Sequence, residues 1–114
     1  MEIKTGKPLK RPYSFMLVAV SLDGKIAPRR RPGQPNPVGP SLIDPEIMKL
    51  HNQQRASADA IMVGLNCILL DDSRLTLRED AARNLTRIVL DGLAEMPLAA
   101  KVLGPEAPTI VAVT

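Results

Sequence analysis

The stretch from residue 58 to residue 78 constrains the fold of this chain more than any other. It contains four consecutive apolar residues, 60–63, and such a short unbroken run is typical of a strand buried on both faces of a parallel sheet. Gly64 ends the run, and an acidic pair, Asp71 and Asp72, follows shortly afterwards. In open α/β sheets ligands bind beyond the carboxyl ends of the strands, where a glycine allows close approach. The stretch therefore predicts either one edge of a ligand site or a buried strand followed by an ordinary surface turn.

Three further apolar runs predict strands, at residues 13–20, 86–91 and 109–113. Long connections separate these runs, which favours an α/β fold with a mostly parallel sheet and flanking helices. The last run is strongly apolar, and nothing follows it to cover its edge or its faces. We therefore expect residues 1–12 to be a flexible lead-in and residues 13–114 to be the N-terminal portion of a domain that is incomplete at its C-terminus.

Residues 41–55 contain the clearest helix. Asp44 is a suitable N-cap, Pro45 suits the first helical position and Glu46 suits the first turn. The apolar side is modest, so we expect this helix to cover the sheet at its surface. His51 is the only histidine and has no partner at metal-ligand spacing, which predicts a surface or boundary residue rather than a catalytic one.

Composition narrows the classes of partner. The net charge of +3 suits an anionic partner but is too small to require nucleic acid. Cys67 is the only cysteine, which excludes an internal disulfide and a cysteine-rich zinc site, and we expect no metal. No window approaches the roughly 18 apolar residues of a membrane-spanning helix, and the basic start lacks the features of a secretory signal. We therefore expect a cytoplasmic protein whose partners include neither membrane nor nucleic acid.

Three consecutive arginines, residues 29–31, lie in a proline-rich segment that spans residues 27–40. A charge run of this kind is most often a solvated surface loop, and contact with phosphate or nucleic acid is the alternative. No aromatic residues are interleaved with the arginines, so a platform for stacking bases is not supported. The solvated loop is our interpretation.

Four motifs have an order and spacing that resemble one known family. They are SLDGKIA at 21–27, ADAIMVG at 58–64, DDSRLTLR at 71–78 and RIVLD at 87–91. On these motifs, residues 12–114 resemble the dihydrofolate-reductase-like reductase domain of riboflavin biosynthesis. The resemblance implies an NADPH-dependent enzyme that reduces the ribosyl group of a ribosylaminopyrimidine 5′-phosphate to a ribityl group.

The resemblance also implies a ligand site, although it identifies no catalytic residue. The family positions that contact the cofactor correspond to Val20, Gly64, Cys67 and Asp71. The family positions that hold the substrate correspond to Ser41, Arg55, Leu75 and Arg78. Arginine suits a phosphorylated substrate because its planar guanidinium donates paired hydrogen bonds. Ordinary structural roles are the alternatives: Arg55 can cap a helix C-terminus, Arg78 can pair with a neighbouring carboxylate and Asp71 can close a turn.

Two of the chain's departures from the family bear on cofactor binding. Threonine is common where Cys67 stands, so a hydrogen bond to the cofactor is weakened or lost, and a small packing residue is the alternative role. Family members are longer, and their later half carries a glycine-rich turn for the cofactor's phosphates that these 114 residues lack. We therefore expect no NADPH turnover by this chain alone, and either a homodimer or a partner chain that supplies the missing half. The alternative function is a non-catalytic binding or dimerisation module of the same fold.

Overall fold

The structure, a computed structural model, describes residues 11–36, 42–77 and 83–114. Its elements in chain order are helix α1 (Pro45–Ala56), strand β1 (Ala60–Gly64), helix α2 (Leu65–Asp71), strand β2 (Thr86–Leu90), a 3₁₀-helix (Lys101–Leu103) and strand β3 (Thr109–Ala112). The strands form one parallel sheet in the order β1-β2-β3. The predicted α/β class with a parallel sheet is confirmed, together with three of the four predicted strands. The expected lead-in falls mainly on residues 1–10, which lie outside the described residues.

The sheet buries only one of its faces. Val89 in the central strand is fully buried, whereas Met62, Leu90 and Ile110 are each about half exposed, at 56%, 50% and 53%. The register pairs Met62 with Ile88 and Ile88 with Ile110, so these side chains share one face, which we call the open sheet face. The prediction that β1 is buried on both faces is therefore wrong. Burial of the second face needs a covering layer, and the described residues do not supply one.

The apolar run at residues 13–20 does not form the predicted strand. The structure gives it no regular secondary structure, and all of its residues are exposed. Apolar composition indicates a tendency to be buried, but a strand also needs a sheet edge whose backbone groups it can pair with. In the part of the chain that the structure describes, neither β1 nor β3 pairs with this run.

Helix α1 begins as the sequence predicts. A carboxylate oxygen of Asp44 accepts a hydrogen bond from the backbone N–H of Glu46 at 2.8 Å, and Pro45 occupies the first turn, where its missing N–H costs nothing. The helix contains no fully buried residue, which agrees with its modest apolar side. His51 is half-buried, as expected of a boundary residue.

Helix α2 follows β1 without a connecting loop and was not predicted. It ends because Asp72 adopts the left-handed conformation, with φ 43° and ψ 46°, and donates its backbone N–H to the carbonyl of Ile68 at 2.9 Å. Ile68 is buried and anchors the helix in the core. The core cluster consists of Ile68, Leu75, Val89, Ala100 and Val102.

Candidate functional site

One side of α2 carries three of the residues that the resemblance assigns to the cofactor. Gly64 precedes the helix, and Cys67 and Asp71 follow at spacings of three and four residues, which are the spacings of neighbours on a helix surface. Cys67 is free and exposed, and the side chain of Asp71 is 32% exposed. A Cβ atom at position 64 would meet nothing within 4 Å, so the protein leaves the carboxyl end of β1 open. We call Gly64, Cys67 and Asp71 the α2 face.

An open groove of about 350 Å³ lies between the proline-rich loop and the end of α2. Its walls are Arg30 with residues 33–36 on one side and residues 69–72 on the other. The guanidinium of Arg30 lies 2.5 Å from Oδ1 of Asp71, and the Arg30 side chain is only 7% exposed. The interpretation of residues 29–31 as a solvated loop is therefore wrong for Arg30. Its charge is held against the protein because a carboxylate on another element neutralises it.

The second carboxylate of the acidic pair ties α2 to the 3₁₀-helix. Oδ1 of Asp72 accepts a hydrogen bond from the backbone N–H of Lys101 at 2.9 Å, and Oδ2 lies 3.2 Å from the Lys101 ammonium. The bond from the backbone N–H of Lys101, followed by the bond to its side chain, lowers the pKa of Asp72 below its ordinary value. Asp72 thus caps a helix that begins 29 residues later in the chain.

The segment that follows α2, residues 72–77, lies beside the amino ends of β2 and β3. The backbone N–H of Leu77 donates to Oδ1 of Asn84 at 3.0 Å, just before β2. Asn84 in turn donates from Nδ2 to the carbonyl of Glu106 at 3.1 Å, just before β3. Leu75, an expected substrate contact, is only 8% exposed and belongs to the core cluster. A ligand contact at Leu75 therefore has to use its backbone rather than its side chain.

The Asp-Gly pair in the first motif, residues 23–24, forms a turn, as this dipeptide favours. The backbone N–H of Gly24 donates to the carbonyl of Ser21 at 2.9 Å, and Gly24 has a φ of 79°, which favours glycine. The Ser21 hydroxyl donates to Asp23 at 2.5 Å, and this bond, followed by Lys25, lowers the pKa of Asp23. Val20, the fourth expected cofactor contact, precedes the turn and is 54% exposed.

The expected site residues do not share one groove. Asp71 lines the groove, whereas Val20, Gly64, Arg55 and Leu75 do not. Arg55 lies in the last turn of α1 and is half-buried, close in sequence to the amino end of β1. Ser41 and Arg78 lie outside the described residues. The α2 face is therefore the part of the expected site that the structure brings together.

Sequence reasoning missed Arg30 and Arg87 as residues that organise this region. Arg30 pairs with a carboxylate 41 residues away, and Arg87 is fully buried although it stands in an apolar strand. The only sequence feature that indicated a structural role for Arg87 was its inward-facing position in a predicted strand. A charge at such a position is stable only if it has hydrogen-bond partners.

Residues 11–36, 42–77 and 83–114 are the part of the chain in which a metal site or a membrane-spanning helix can be recognised. These ranges contain no group of three or more His, Cys, Asp or Glu side chains that could hold a metal ion. They also contain no helix long and apolar enough to cross a membrane.

Comparison with known proteins gave concordant matches. Residues 12–114 match the RibD C-terminal domain. The chain is 38% identical over 114 residues to the 2,5-diamino-6-ribosylamino-4(3H)-pyrimidinone 5′-phosphate reductase of Archaeoglobus fulgidus, and 42% identical over 109 residues to the protein of that name in Methanothermobacter thermautotrophicus. Each alignment covers 91% of this chain, and they cover 49% and 46% of the relatives. The chain therefore spans about half the length of the curated relatives it matches.

A solved structure resembles the fold as well. The crystal structure of a diaminohydroxyphosphoribosylaminopyrimidine deaminase/5-amino-6-(5-phosphoribosylamino)uracil reductase from Thermotoga maritima has a TM-score of 0.67 and 27% sequence identity to this chain. The match covers 84% of this chain and 26% of the Thermotoga chain. It confirms the dihydrofolate-reductase-like fold that the resemblance implied.

Proposed function

Because the chain belongs to the RibD C-terminal domain family, we propose that it serves the NADPH-dependent reduction of a ribosylaminopyrimidine 5′-phosphate in riboflavin biosynthesis. The observation that carries the proposal is the alignment of about nine-tenths of this chain with proteins named as reductases of such a compound. In this reaction the cofactor supplies a hydride that forms a new C1′–H bond in the sugar. The C1′–O4′ bond breaks, a proton goes to O4′, and the ribosyl group becomes a ribityl group.

We assign the α2 face to the cofactor. Three observations support this assignment: the open space at Gly64, the exposure of Cys67 and the partly exposed carboxylate of Asp71. Arg30 occupies one oxygen of Asp71, and a carboxylate keeps further lone pairs for a ligand's N–H or O–H group. The fit is partial, because these 114 residues contain no glycine-rich turn for the cofactor's phosphates. The residues present can orient part of a dinucleotide but do not enclose it.

We assign Arg55, Leu75, Ser41 and Arg78 to the phosphorylated sugar, on the basis of the family resemblance. Arg55 and Arg78 would supply the fixed cations that a 5′-phosphate needs. Leu75 would present its backbone, because its side chain is packed in the core. The cytoplasmic location expected from the sequence stays a prediction.

Binding and turnover of the purified chain test this function separately. We expect calorimetric titration to detect NADPH binding that is tighter than NADH binding. With the ribosylaminopyrimidine 5′-phosphate present, we expect no loss of NADPH absorbance with the chain alone. Turnover is expected after addition of a polypeptide corresponding to the remaining half of a relative. The function is refuted if neither cofactor nor substrate binds and the mixture does not reduce the sugar.

A second candidate function is assembly without catalysis, and the open sheet face favours it. Its apolar side chains are about half exposed in three adjacent strands, and soluble proteins seldom leave such a patch uncovered. In this second function a second copy of the chain covers the face. In the reductase we infer that the face is covered by polypeptide corresponding to the remainder of the relatives' length, in the same chain or another. Light scattering distinguishes the alternatives, because a self-associating chain would form dimers without any added polypeptide.

A further inference from the structure

Arg87 in β2 is fully buried and bonds to the backbone of two separate segments. Its Nη1 donates to the carbonyl of Arg74 at 3.2 Å, and its Nη2 donates to the carbonyls of Gly104, at 2.6 Å, and Ala107. The carboxylate of Glu106 lies 3.8 Å from Nη1. A charge buried in this way destabilises a protein unless its donors find partners. The three carbonyls and the carboxylate serve the two Nη groups, whereas Nε has no hydrogen-bond partner among the described residues.

The two segments joined by Arg87 are residues 72–77, after α2, and residues 104–107, before β3. Further contacts join the same segments. Arg74 lies 3.5 Å from the carboxylate of Glu106, and Asn84 links Leu77 to the Glu106 carbonyl. Glu106 therefore lies between two arginines. Gly104 makes this possible, because a Cβ atom at position 104 would overlap the Glu106 carboxylate.

The bond from Arg87 acts on the backbone of Leu75 directly. The Arg74 carbonyl belongs to the peptide group that joins Arg74 to Leu75, so holding this carbonyl sets the plane from which the φ angle of Leu75 is measured. Leu75 has a φ of 55°, in the left-handed region that leucine rarely adopts. A conformation of this kind persists only where its surroundings enforce it. Here the core packing of Leu75 and the Arg87–Arg74 bond do so.

We propose that Arg87 is a positioning residue that fixes the backbone of residues 72–77 for contact with the phosphorylated sugar. The expected effect of Arg87 on substrate binding rests on the proposed function, whereas the effect of Arg87 on the backbone does not. Arginine is required because three carbonyls lie around one planar guanidinium, and a lysine ammonium is a single point that cannot reach both segments.

Hydrogen exchange tests the effect on the backbone. In Arg87→Lys and Arg87→Met we expect the Leu77 amide, whose N–H donates to Asn84, to lose about tenfold or more of its protection relative to the core amides of β2. Val89→Ala is the matched control, because Val89 is equally buried on the same face of the same strand. Val89→Ala should reduce protection throughout without singling out the Leu77 amide. Equal patterns of amide protection in the two Arg87 variants and in Val89→Ala would overturn the proposal.

A milder variant and a binding assay complete the test. Glu106→Gln keeps the shape of the side chain and removes the charge that faces both arginines, so it should loosen residues 73–77 in the same direction by less. If wild-type chain binds the ribosylaminopyrimidine 5′-phosphate, Arg87→Lys should weaken this binding about tenfold and leave NADPH binding unchanged. Substrate binding by Arg87→Lys equal to that of Val89→Ala would contradict the positioning role. Absence of binding by the wild type would count against the proposed function alone, and the exchange pattern would still decide the role of Arg87.

Discussion

The guanidinium of Arg30 and the carboxylate of Asp71 lie 2.5 Å apart, although 41 residues separate them in the chain. This pair attaches the proline-rich loop to the end of α2 and joins the two walls of the groove. Since Asp71 also belongs to the α2 face, the loop contacts a residue of the proposed cofactor site. The loop therefore borders the candidate site.

The Arg30–Asp71 pair should show a measurable interaction energy. In a double-mutant cycle with Arg30→Met and Asp71→Asn, we expect a coupling of about 1 kcal/mol in urea unfolding, because Arg30 is buried and the pair is poorly screened by solvent. Arg29→Met is the matched control, since Arg29 is the exposed neighbour in the same run. A coupling indistinguishable from zero would contradict the pair's importance in solution.

Cys67→Thr should strengthen cofactor binding. The thiol of Cys67 is a weak hydrogen-bond donor, and a hydroxyl at the same exposed position on the α2 face donates and accepts well. We expect the Kd for NADPH to fall by up to about tenfold, as one additional hydrogen bond allows. Cys67→Ala, which has no polar group, should bind no more tightly than the wild type. Equal affinities in all three proteins would place Cys67 outside the cofactor site.

The contribution of Asp72 to stability should disappear in acid. Its pKa is lowered in the folded protein, mainly by the backbone N–H of Lys101, so its contribution is fully present above the unfolded value of 3.8. The contribution is lost as the pH falls below 3.8 through the lower pKa of the folded state. Asp72→Asn removes this titration and tolerates the left-handed backbone at position 72. We expect the urea midpoints of the two proteins to differ at neutral pH and to converge in acid; a constant difference would contradict the assignment.

Asp91 should be intolerant even of asparagine. It is 1% exposed, and its two carboxylate oxygens accept from the backbone N–H groups of Glu95, at 3.0 Å, and Met96, at 2.8 Å. An asparagine offers one acceptor oxygen, so its amide group would face one of the two N–H donors. We expect Asp91→Asn to lower the free energy of unfolding by about 1–3 kcal/mol. Asp59→Asn is the control, because Asp59 is exposed. An equally small change in the free energy of unfolding in both variants would disprove the role of the Asp91 carboxylate.

Charge placed on the open sheet face should abolish assembly without unfolding the chain. Ile110 is 53% exposed, so Ile110→Lys should change the unfolding free energy by no more than about 0.5 kcal/mol. It should nevertheless prevent binding of polypeptide corresponding to the remaining half of a relative, because a lysine would be buried at the interface. Leu98→Lys is the control, since Leu98 is 93% exposed and lies outside the sheet. Normal binding by Ile110→Lys would show that this face is not the interface.

The predictions that succeeded depend on residues close together in the chain. Strands β1, β2 and β3 were predicted from short apolar runs, and the start of α1 was predicted from Asp44 and Pro45. These signals are local because strand patterning and helix capping depend on neighbours a few residues away. The four motifs also sufficed to identify the family, because their order and spacing can be read from the sequence without knowing which residues are in contact.

The tertiary structure alone decided which of these elements face each other. The apolar run at residues 13–20 has the composition of a strand, but composition does not specify a partner edge. That Cys67 and Asp71 lie on one side of α2 could be seen only in the structure. The helix is too short to be predicted from its sequence pattern. The local sequence does not identify the partners of Arg87 or of Arg30, because these partners lie 13 or more residues away along the chain. Long-range pairing of buried charges depends on how the chain packs, and packing is decided by the whole fold at once.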